Sequence, residues 1–197
     1  MADFTRLINP IGMTWIKSPG GFASPGISGK LQLRSMTQIG RIWQEEYPIL
    51  RAAAPVTRAF LSYVDGLWRN QTIFDIVYLN LATPLGTISG SPTVNGAGQT
   101  GSTITVTTIT GTFKQGDLIK FSSGVDIVYN ATADVANGAT SIPINPPIFA
   151  GGSPAHGAAI TYTGVKFHAV LHEELVLPKC ARDQWYAGLV LKFRETA

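Results

Sequence analysis

One string of glycines has the spacing of a cofactor-binding motif. Gly96-Ala97-Gly98-Gln99-Thr100-Gly101 matches the glycine fingerprint of dinucleotide-binding proteins. In those proteins a strand precedes the fingerprint and a helix follows it, so that the helix N-terminus holds the pyrophosphate. Here residues 102–110 are mostly threonine, isoleucine and valine, which favour a strand. We therefore predict no cofactor, and we interpret the glycines as a flexible start to the segment that follows.

Two histidines offer the next candidate chemistry. His168 and His172 lie four positions apart and are followed by Glu173 and Glu174, so the segment would offer metal ligands on one face if it were helical. However, apolar residues alternate along 167–171, which is typical of a strand, and the order is not that of a helical zinc-protease motif. On a strand the two histidines still share a face. We predict a polar edge facing solvent or a partner, with no metal; a weak metal site is the alternative.

Cys180 and Asp117 are the remaining candidates for catalysis. A cysteine nucleophile needs a base and an orienting group, and the sequence does not bring a histidine to Cys180. Asp117 follows Gly116, and a Gly-Asp pair that opens a strand usually forms a turn whose carboxylate accepts backbone N–H groups. No catalytic constellation results, and we predict that the chain is not an enzyme.

Aromatic side chains provide candidate contact surfaces. The chain contains Trp15, Trp43, Trp68 and Trp185. Such side chains could stack on sugars, but in a β-protein they more often lie in the core or at subunit contacts. We predict that Trp15, Phe22, Trp43 and Trp185 contact other subunits or partners.

The composition indicates a mainly β protein that assembles with other subunits. Charged residues make up 14% of the chain, against about 25% in an average globular protein. The 21 glycines and 12 prolines suit a fold with many turns. Low charge leaves much of the surface uncharged, as expected where that surface is buried against other subunits. We therefore expect a homo-oligomer.

Charge and cysteine usage limit the compartment and the partners. The net charge of +3 comes without a basic run, which argues against a dedicated nucleic-acid binder. The single cysteine allows no internal disulfide, so we expect synthesis in a reducing cytoplasm. Neither a signal peptide nor an apolar stretch of about 18 residues occurs, so we predict no export by a signal peptide and no membrane insertion.

One helix organises the elements around these residues. Pro55 follows three alanines and takes the place of a first helical residue, where a missing N–H is tolerated. Apolar residues then recur with helical spacing to about residue 67, and we predict that they form one buried stripe. Its members are Val56, Ala59, Phe60, Tyr63, Val64 and Leu67. The flanking runs are rich in β-branched and aromatic residues, so we predict a sheet that carries this helix.

Composition separates an insertion from the rest of the chain. Residues 84–166 contain only six charged residues, and small or β-branched residues dominate. Five short runs between turn signals predict a small all-β, barrel-like inserted domain. These runs are 102–110, 117–122, 125–133, 140–144 and 158–163.

The insertion interrupts a second domain, formed by residues 30–83 plus 167–197. Strands are predicted there at two places within 30–47, and at 72–79, 167–177 and 185–193. Residues 1–29, rich in proline and glycine, are predicted to be an extended N-terminal arm over a neighbouring surface. The predicted fold is mainly β: a β-sandwich or split barrel with one α-helix at about 55–67, interrupted by the inserted domain.

One further pattern begins at residue 41. It consists of Arg41-Ile42-Trp43, Tyr47-Pro48-Ile49-Leu50, the helix ending with Phe60 to Leu67, and the strand Thr72 to Ile76. This order resembles minor tail proteins of long-tailed bacteriophages, and distal tail proteins in particular. In that family a strand, a short helix ending near a glycine and a strand with a phenylalanine make the ring-forming domain. The resemblance covers most of the chain from Arg41 onward, and residues 1–29 lie outside it.

The continuation of the chain is similar to these tail proteins as well. The matching segments are Pro84-Leu85-Gly86, Gly90-Ser91-Pro92, Val94 to Gly101, and Gly116-Asp117-Leu118-Ile119. The resemblance implies a structural virion protein, assembled in the host cytoplasm, that forms a ring, expected to be a hexamer, at the distal end of the tail. Such a ring joins the tail tube to the hub and to fibre or receptor-binding proteins, and DNA passes through its channel only as cargo.

Two alternatives stay open within a virion. The chain could instead be a tail tube or tail-completion protein. It could also be a binding module whose inserted domain recognises host carbohydrate.

Overall fold

The computed structural model of this chain describes residues 2–16, 21–25, 31–35, 41–172, 185–186 and 188–196. At residues 16, 21–25, 31–35 and 185–186 the backbone alone is described. The chain divides into two compact units. We call Met1–Phe74 with Ala169–Thr196 the parent unit, and Asp75–His168 the inserted unit. The predicted insertion, 84–166, lies within the inserted unit; the assignment of three separate domains stays a prediction.

A five-stranded sheet contains three strands of the parent unit together with two strands in which the chain passes from one unit to the other. In spatial order its strands are β1 (Gly12–Ile16), β4 (Ile42–Glu46), β14 (Val190–Glu195), β12 (Lys166–Leu171) and β6 (Phe74–Val77), and the last two are those that pass between the units. The first four strands pair antiparallel, with Trp15 opposite Trp43 and Trp43 opposite Phe193. Because side chains alternate along a strand, Trp43 and Glu45 share one face of β4, which is buried.

The remaining strands of the parent unit form two small sheets. One pairs β2 (Gly21–Pro25) with β3 (Leu31–Ser35), and the other pairs β5 (Leu50–Arg51) with β13 (Trp185–Tyr186). Strands β3 and β4 confirm the two strands predicted between Lys30 and Tyr47. Within the predicted arm, residues 12–16 pair with the chain's own β4, whereas we expected a segment lying over a neighbouring surface.

The predicted helix is present as α1 (Pro55–Arg69), which begins at the expected proline and continues beyond residue 67. Phe60 and Val64 are both fully buried, as predicted. The Phe60 ring lies 5.0 Å from the ring of Tyr47, which directly follows β4. The helix therefore packs on the sheet through these residues.

The buried stripe of α1 is rotated from the predicted one. Thr57 is buried, whereas Val56 is 47% exposed and Ala59 is exposed as well. Residues 57, 60 and 64 follow the i, i+3, i+7 spacing of one helix face. Phe60 and Val64 fix this face, so in the first turn it passes through the threonine and leaves the valine in solvent. The prediction of Val56 and Ala59 as core residues was wrong for this reason.

The N-terminal segment completes the parent core. The ring of Phe4 lies 5.1 Å from that of Phe74 and 5.4 Å from that of Phe193. Two residues later, Arg6 Nη2 lies 2.5 Å from Oε1 of the fully buried Glu45. The Tyr47 hydroxyl donates to Glu45 Oε2 at 2.8 Å, and burial, followed by the charge of Glu45, raises the pKa of Tyr47. These partners replace the water that a buried carboxylate loses.

A second five-stranded sheet forms the inserted unit. Its spatial order is β11 (Ile160–Thr161), β8 (Leu118–Phe121), β9 (Tyr129–Ala131), β10 (Ser141–Ile148) and β7 (Gly101–Thr105). Each strand overlaps one of the five predicted runs. Residues 92–95 connect the outer strands, because Val94 bridges Val106 beside β7 and Thr93 bridges Ala159 beside β11. The backbone pairing therefore closes this sheet into a small barrel.

Apolar side chains fill the barrel, and two loops cross closely beside it. The interior includes Ile104, Ile119, Ile142, Ile144 and Phe113, all nearly or fully buried. A Cβ atom at Gly86 would lie 1.9 Å from the carbonyl oxygen of Thr112. A Cβ at Gly111, where φ is +90°, would lie 2.0 Å from the carbonyl oxygen of Thr87. Only glycine fits at this crossing.

The protein is mainly β, with two curled sheets and, among the described residues, one α-helix. This confirms the predicted fold class. No helix in the described part of the chain is long and apolar enough to cross a membrane.

Candidate functional site

A pocket of about 440 Å³ opens on the inserted unit, and seven of its ten lining residues are charged or polar. It is lined by Asp75, Lys120, Phe121, Ser122, Gly124, Asp126, Thr161, Gly164, Lys166 and His168. Asp75 and His168 are the residues at which the inserted unit begins and ends. The lining of the pocket thus includes the first and the last residue of the segment 75–168.

The strand pattern explains how these side chains reach the pocket. In β6, Phe74 and Ile76 are buried, so Asp75 between them points to the opposite face. In β12, Phe167 and Ala169 are buried in the same way, and His168 lies on the other face. Neighbouring strands β6 and β12 therefore present a carboxylate and an imidazole side by side.

His168 is the centre of a charged network. Its Nδ1 contacts the carboxylate of Asp75, and its Nε2 contacts the carboxylate of Asp126. Asp126 Oδ1 also lies 2.6 Å from Nζ of Lys120, which donates to the carbonyl oxygen of Lys166 at 3.0 Å. The imidazole of His168 thus lies between the carboxylates of Asp75 and Asp126.

The network links three segments of the inserted unit through charged side chains. Both nitrogens of His168 face a carboxylate, so neither is directed at a substrate. Within the described residues, no cluster of three or more histidine, cysteine, aspartate or glutamate side chains has the geometry of a metal site. Ser122, Thr161 and Lys166 are among the lining residues, and hydroxyl and ammonium groups are of the kind that recognise polar ligands.

The structure brings His168 and His172 into different surroundings. His172 follows β12, and its backbone N–H donates to the carbonyl oxygen of Lys192 in β14 at 2.7 Å. Glu173, Glu174 and Cys180 lie outside the described residues. A metal site formed by the two histidines and the two glutamates therefore stays untested. The same holds for catalysis by Cys180.

The glycine string at 96–101 leads into a strand, as predicted, because β7 begins at Gly101. The side chain of Gln99 fills the loop: its amide nitrogen donates to the carbonyl oxygens of Asn95, Gly96 and Thr105 at 2.9 to 3.1 Å. Its amide oxygen accepts the N–H of Thr105 at 2.6 Å. We expected a flexible start, and the structure shows a loop fixed by its own glutamine.

Asp117 has the predicted turn role. Its carboxylate is buried and accepts the backbone N–H groups of Leu85, Gly86 and Lys114 at 2.7 to 3.1 Å. These bonds tie the loop before the barrel to the turn that opens β8.

The four predicted contact residues lie on strands of the parent unit. Trp43 is fully buried and stacks on Phe193 with ring centroids 5.6 Å apart, so its side chain is part of the chain's own core. Trp15 is half-buried, 5.8 Å from Trp43. Phe22 lies in β2 and Trp185 in β13, and their side chains are outside the described part of the structure. A role of Trp15, Phe22 and Trp185 as partner contacts stays a prediction.

Sequence reasoning missed the partners of His168 and the buried Glu45. A signal for Asp75 was present, since a carboxylate between Phe74 and Ile76 in an apolar strand needs a partner. A signal for Glu45 was present too, because alternate residues of a strand point to one face, and Glu45 therefore lies on the same face as Trp43 and Tyr47. For Asp126, in the loop after β8, no local pattern indicates the contact.

No known protein family matches this chain, and no curated protein sequence matches it either.

Proposed function

We propose that this chain is a structural virion protein that forms a ring, expected to be a hexamer, at the distal end of a phage tail. In that place it would join the tail tube to the hub and fibre proteins. The observation that carries the proposal is the fold of residues 42–77. Strand β4, the two-residue strand β5, helix α1 and strand β6 occur there, and β4, α1 and β6 have the order that the resemblance to distal tail proteins implies.

The pairing of charged side chains within the inserted unit supports a role in assembly. Lys114 pairs with Asp134 at 2.6 Å, Lys120 pairs with Asp126 at 2.6 Å, and Asp117 binds backbone N–H groups. These charges are thus engaged within the unit, and the rest of its surface is largely threonine, serine, glycine and alanine. Interface cores are depleted of charged residues, so such a surface suits contact with other proteins.

The parent unit offers apolar surface and open strands for subunit contacts. Ile11 is 72% exposed, Ile49 63% and Ile73 43%. Among the described residues, β1 and β6 are the outer strands of the sheet. A head-to-tail ring joins unlike faces of neighbouring subunits, so different edges could be covered in one closed assembly.

Electron microscopy of the purified chain, with mass from light scattering, tests the proposal. We expect closed rings with a central hole, and a mass that is a fixed multiple of the 21.0 kDa chain. Compact monomers at every concentration would contradict a self-assembling ring. Open helical tubes would favour the tail tube alternative.

The pocket of the inserted unit favours a second candidate, the binding of host carbohydrate. Hydroxyl, ammonium and carboxylate groups line the pocket and match the hydrogen-bonding groups of sugars. The test is retention of the full chain on host cells and on a glycan array. Lys166→Ala should reduce retention, whereas Lys192→Ala, on β14, should not. Equal retention of both variants would contradict binding at this pocket.

A further inference from the structure

Two Asn-Gly pairs occur in the chain, and both lie in the inserted unit: Asn95-Gly96 and Asn137-Gly138. The peptide nitrogen of the second residue in such a pair can attack the asparagine side chain, because glycine has no Cβ to block the approach. The attack is slow unless a base removes the proton from that nitrogen. The surroundings of the two nitrogens therefore decide which pair reacts.

A histidine side chain faces the peptide nitrogen of the first pair. Gly96 N–H donates to Nδ1 of His156 at 2.9 Å. A ring nitrogen that accepts a hydrogen bond carries no proton of its own and can act as a base. The distance is within the reach required of a general base for the proton it removes. Asn95 itself is exposed, so water reaches its side chain.

We infer that Asn95 is a site of self-catalysed deamidation in which His156 is the general base. This inference does not depend on the proposed function. It assigns His156 a chemical role, and it makes Asn95 the position at which the barrel changes covalently with age.

The reaction begins with proton removal. Nδ1 of His156 takes the proton from Gly96 N, and this nitrogen forms a bond to the side-chain carbonyl carbon of Asn95. The bond from that carbon to the amide nitrogen then breaks, and the proton returns to the leaving group, which departs as ammonia. The product is a five-membered succinimide. Water opens the ring at either carbonyl and gives aspartate or isoaspartate.

The second pair lacks these conditions and serves as an internal control. Gly138 N–H donates to the carbonyl oxygen of Ile109 at 2.8 Å, and a carbonyl is not a base that removes a proton. The side-chain oxygen of Asn137 accepts the N–H of Gly111 at 2.9 Å, which holds this amide in place. We therefore expect Asn137 to react more slowly than Asn95.

The position of Asn95 gives the reaction a structural consequence. Its backbone N–H donates to the carbonyl oxygen of Thr105 in β7 at 3.0 Å, within the segment that closes the barrel. Isoaspartate lengthens the main chain by a carbon atom and adds a negative charge. Deamidation therefore loosens this closure and charges a unit that otherwise has few charges.

The test is incubation of the full chain at neutral pH, followed by peptide mass spectrometry with detection of isoaspartate. We expect Asn95 to convert about tenfold faster than Asn137, a modest effect for a positioned base. His156→Gln keeps a hydrogen-bond acceptor but lacks a basic nitrogen, and it should remove most of this difference. Equal rates at the two sites, or an Asn95 rate that His156→Gln leaves unchanged or raises, would overturn the inference.

A second measurement does not depend on whether the variant folds. In concentrated urea the unmodified chain loses the contact between His156 and Gly96, so Asn95 should no longer react faster than Asn137. A faster Asn95 that persists in urea would assign the difference to local sequence and would also overturn the role of His156.

Discussion

The parent and inserted units differ in what their interiors contain. The parent interior combines aromatic rings such as Trp43 and Phe193 with the buried carboxylates of Glu45 and Glu195. The barrel interior is mainly isoleucine and valine, and its buried acid, Asp117, binds backbone N–H groups. The parent unit therefore depends on pairs of side chains far apart in sequence, and the inserted unit on backbone closure and tight loops. Different kinds of substitution should unfold each.

The largest effect should come from Phe60→Asp, which places an unpaired carboxylate in the buried face of α1. We expect a loss of roughly 4 kcal/mol or more in the free energy of unfolding of the parent unit. Chemical denaturation followed by circular dichroism measures it. Val56→Asp, on the exposed side of the same helix, should change stability by about 0.5 kcal/mol or less. A soluble, fully stable Phe60→Asp variant would show that the buried face of the helix is assigned incorrectly.

Removing a buried charge partner should come next. Arg6→Ala leaves the fully buried Glu45 without the guanidinium that faces it at 2.5 Å. Breaking such a pair should reduce the free energy of unfolding by about 3 kcal/mol. The control is Arg69→Ala, which removes an exposed pair with Asp65 at 2.7 Å and should cost about 0.5 kcal/mol. If both variants lose a similar free energy of unfolding, the buried pair of Arg6 and Glu45 stabilises the fold no more than the exposed pair does.

Replacing a glycine that has a left-handed backbone conformation should destabilise the inserted unit instead. Gly111→Ala places a methyl group against the carbonyl of Thr87 in a left-handed conformation, and should cost about 3 kcal/mol. In the parent unit, the helical Gly66 has open space around it, and Gly66→Ala should raise stability by about 0.5 to 1 kcal/mol. Denaturation of both variants checks the opposite signs. A neutral Gly111→Ala would mean that the crossing loops can separate without cost.

The smallest effect concerns an exposed charge of the inserted unit. Hydrogen bonds from the Lys114 ammonium and from Gln115 N–H lower the pKa of Asp134. A carboxyl group with a lower pKa in the folded state stabilises the fold above its unfolded pKa of about 3.9, and this contribution is lost as the pH falls through the folded value. Asp134→Asn should therefore reduce the drop in melting temperature on acidification slightly. If the melting temperature falls equally on acidification with and without the substitution, the Lys114–Asp134 pair contributes nothing to stability.

Much of the fold could be predicted because its signals are local. Alternation and turn residues located the five barrel strands, and Pro55 located the helix start. The face of α1 was less clear, because Val56 and Thr57 have similar shapes and only packing on the sheet selects between them. Strand β1 escaped prediction because its hydrogen-bond partner, β4, is distant in sequence.

The candidate site was less predictable than the fold. His168 drew attention through its spacing from His172, yet its contacts are Asp75 and Asp126, which come from two other elements. The alternation of Asp75 with the apolar residues of β6 indicated that its side chain lies on the face opposite to the core. It did not indicate that His168 would be the partner there. Long-range pairing of this kind depends on the topology, which local patterns do not contain.

The strand order also sets the sequence of events during synthesis. The central strand of the parent sheet, β14 (Val190–Glu195), is the last strand of the chain, whereas its neighbour β4 (Ile42–Glu46) is made early. The ribosome therefore completes the whole barrel before β4 can meet β14. Until then the apolar faces of β4 and α1 lack their central partner, and exposed apolar surface of this kind is prone to aggregation. A folding defect in the barrel should thus reduce the yield of soluble protein even where the parent sequence is intact.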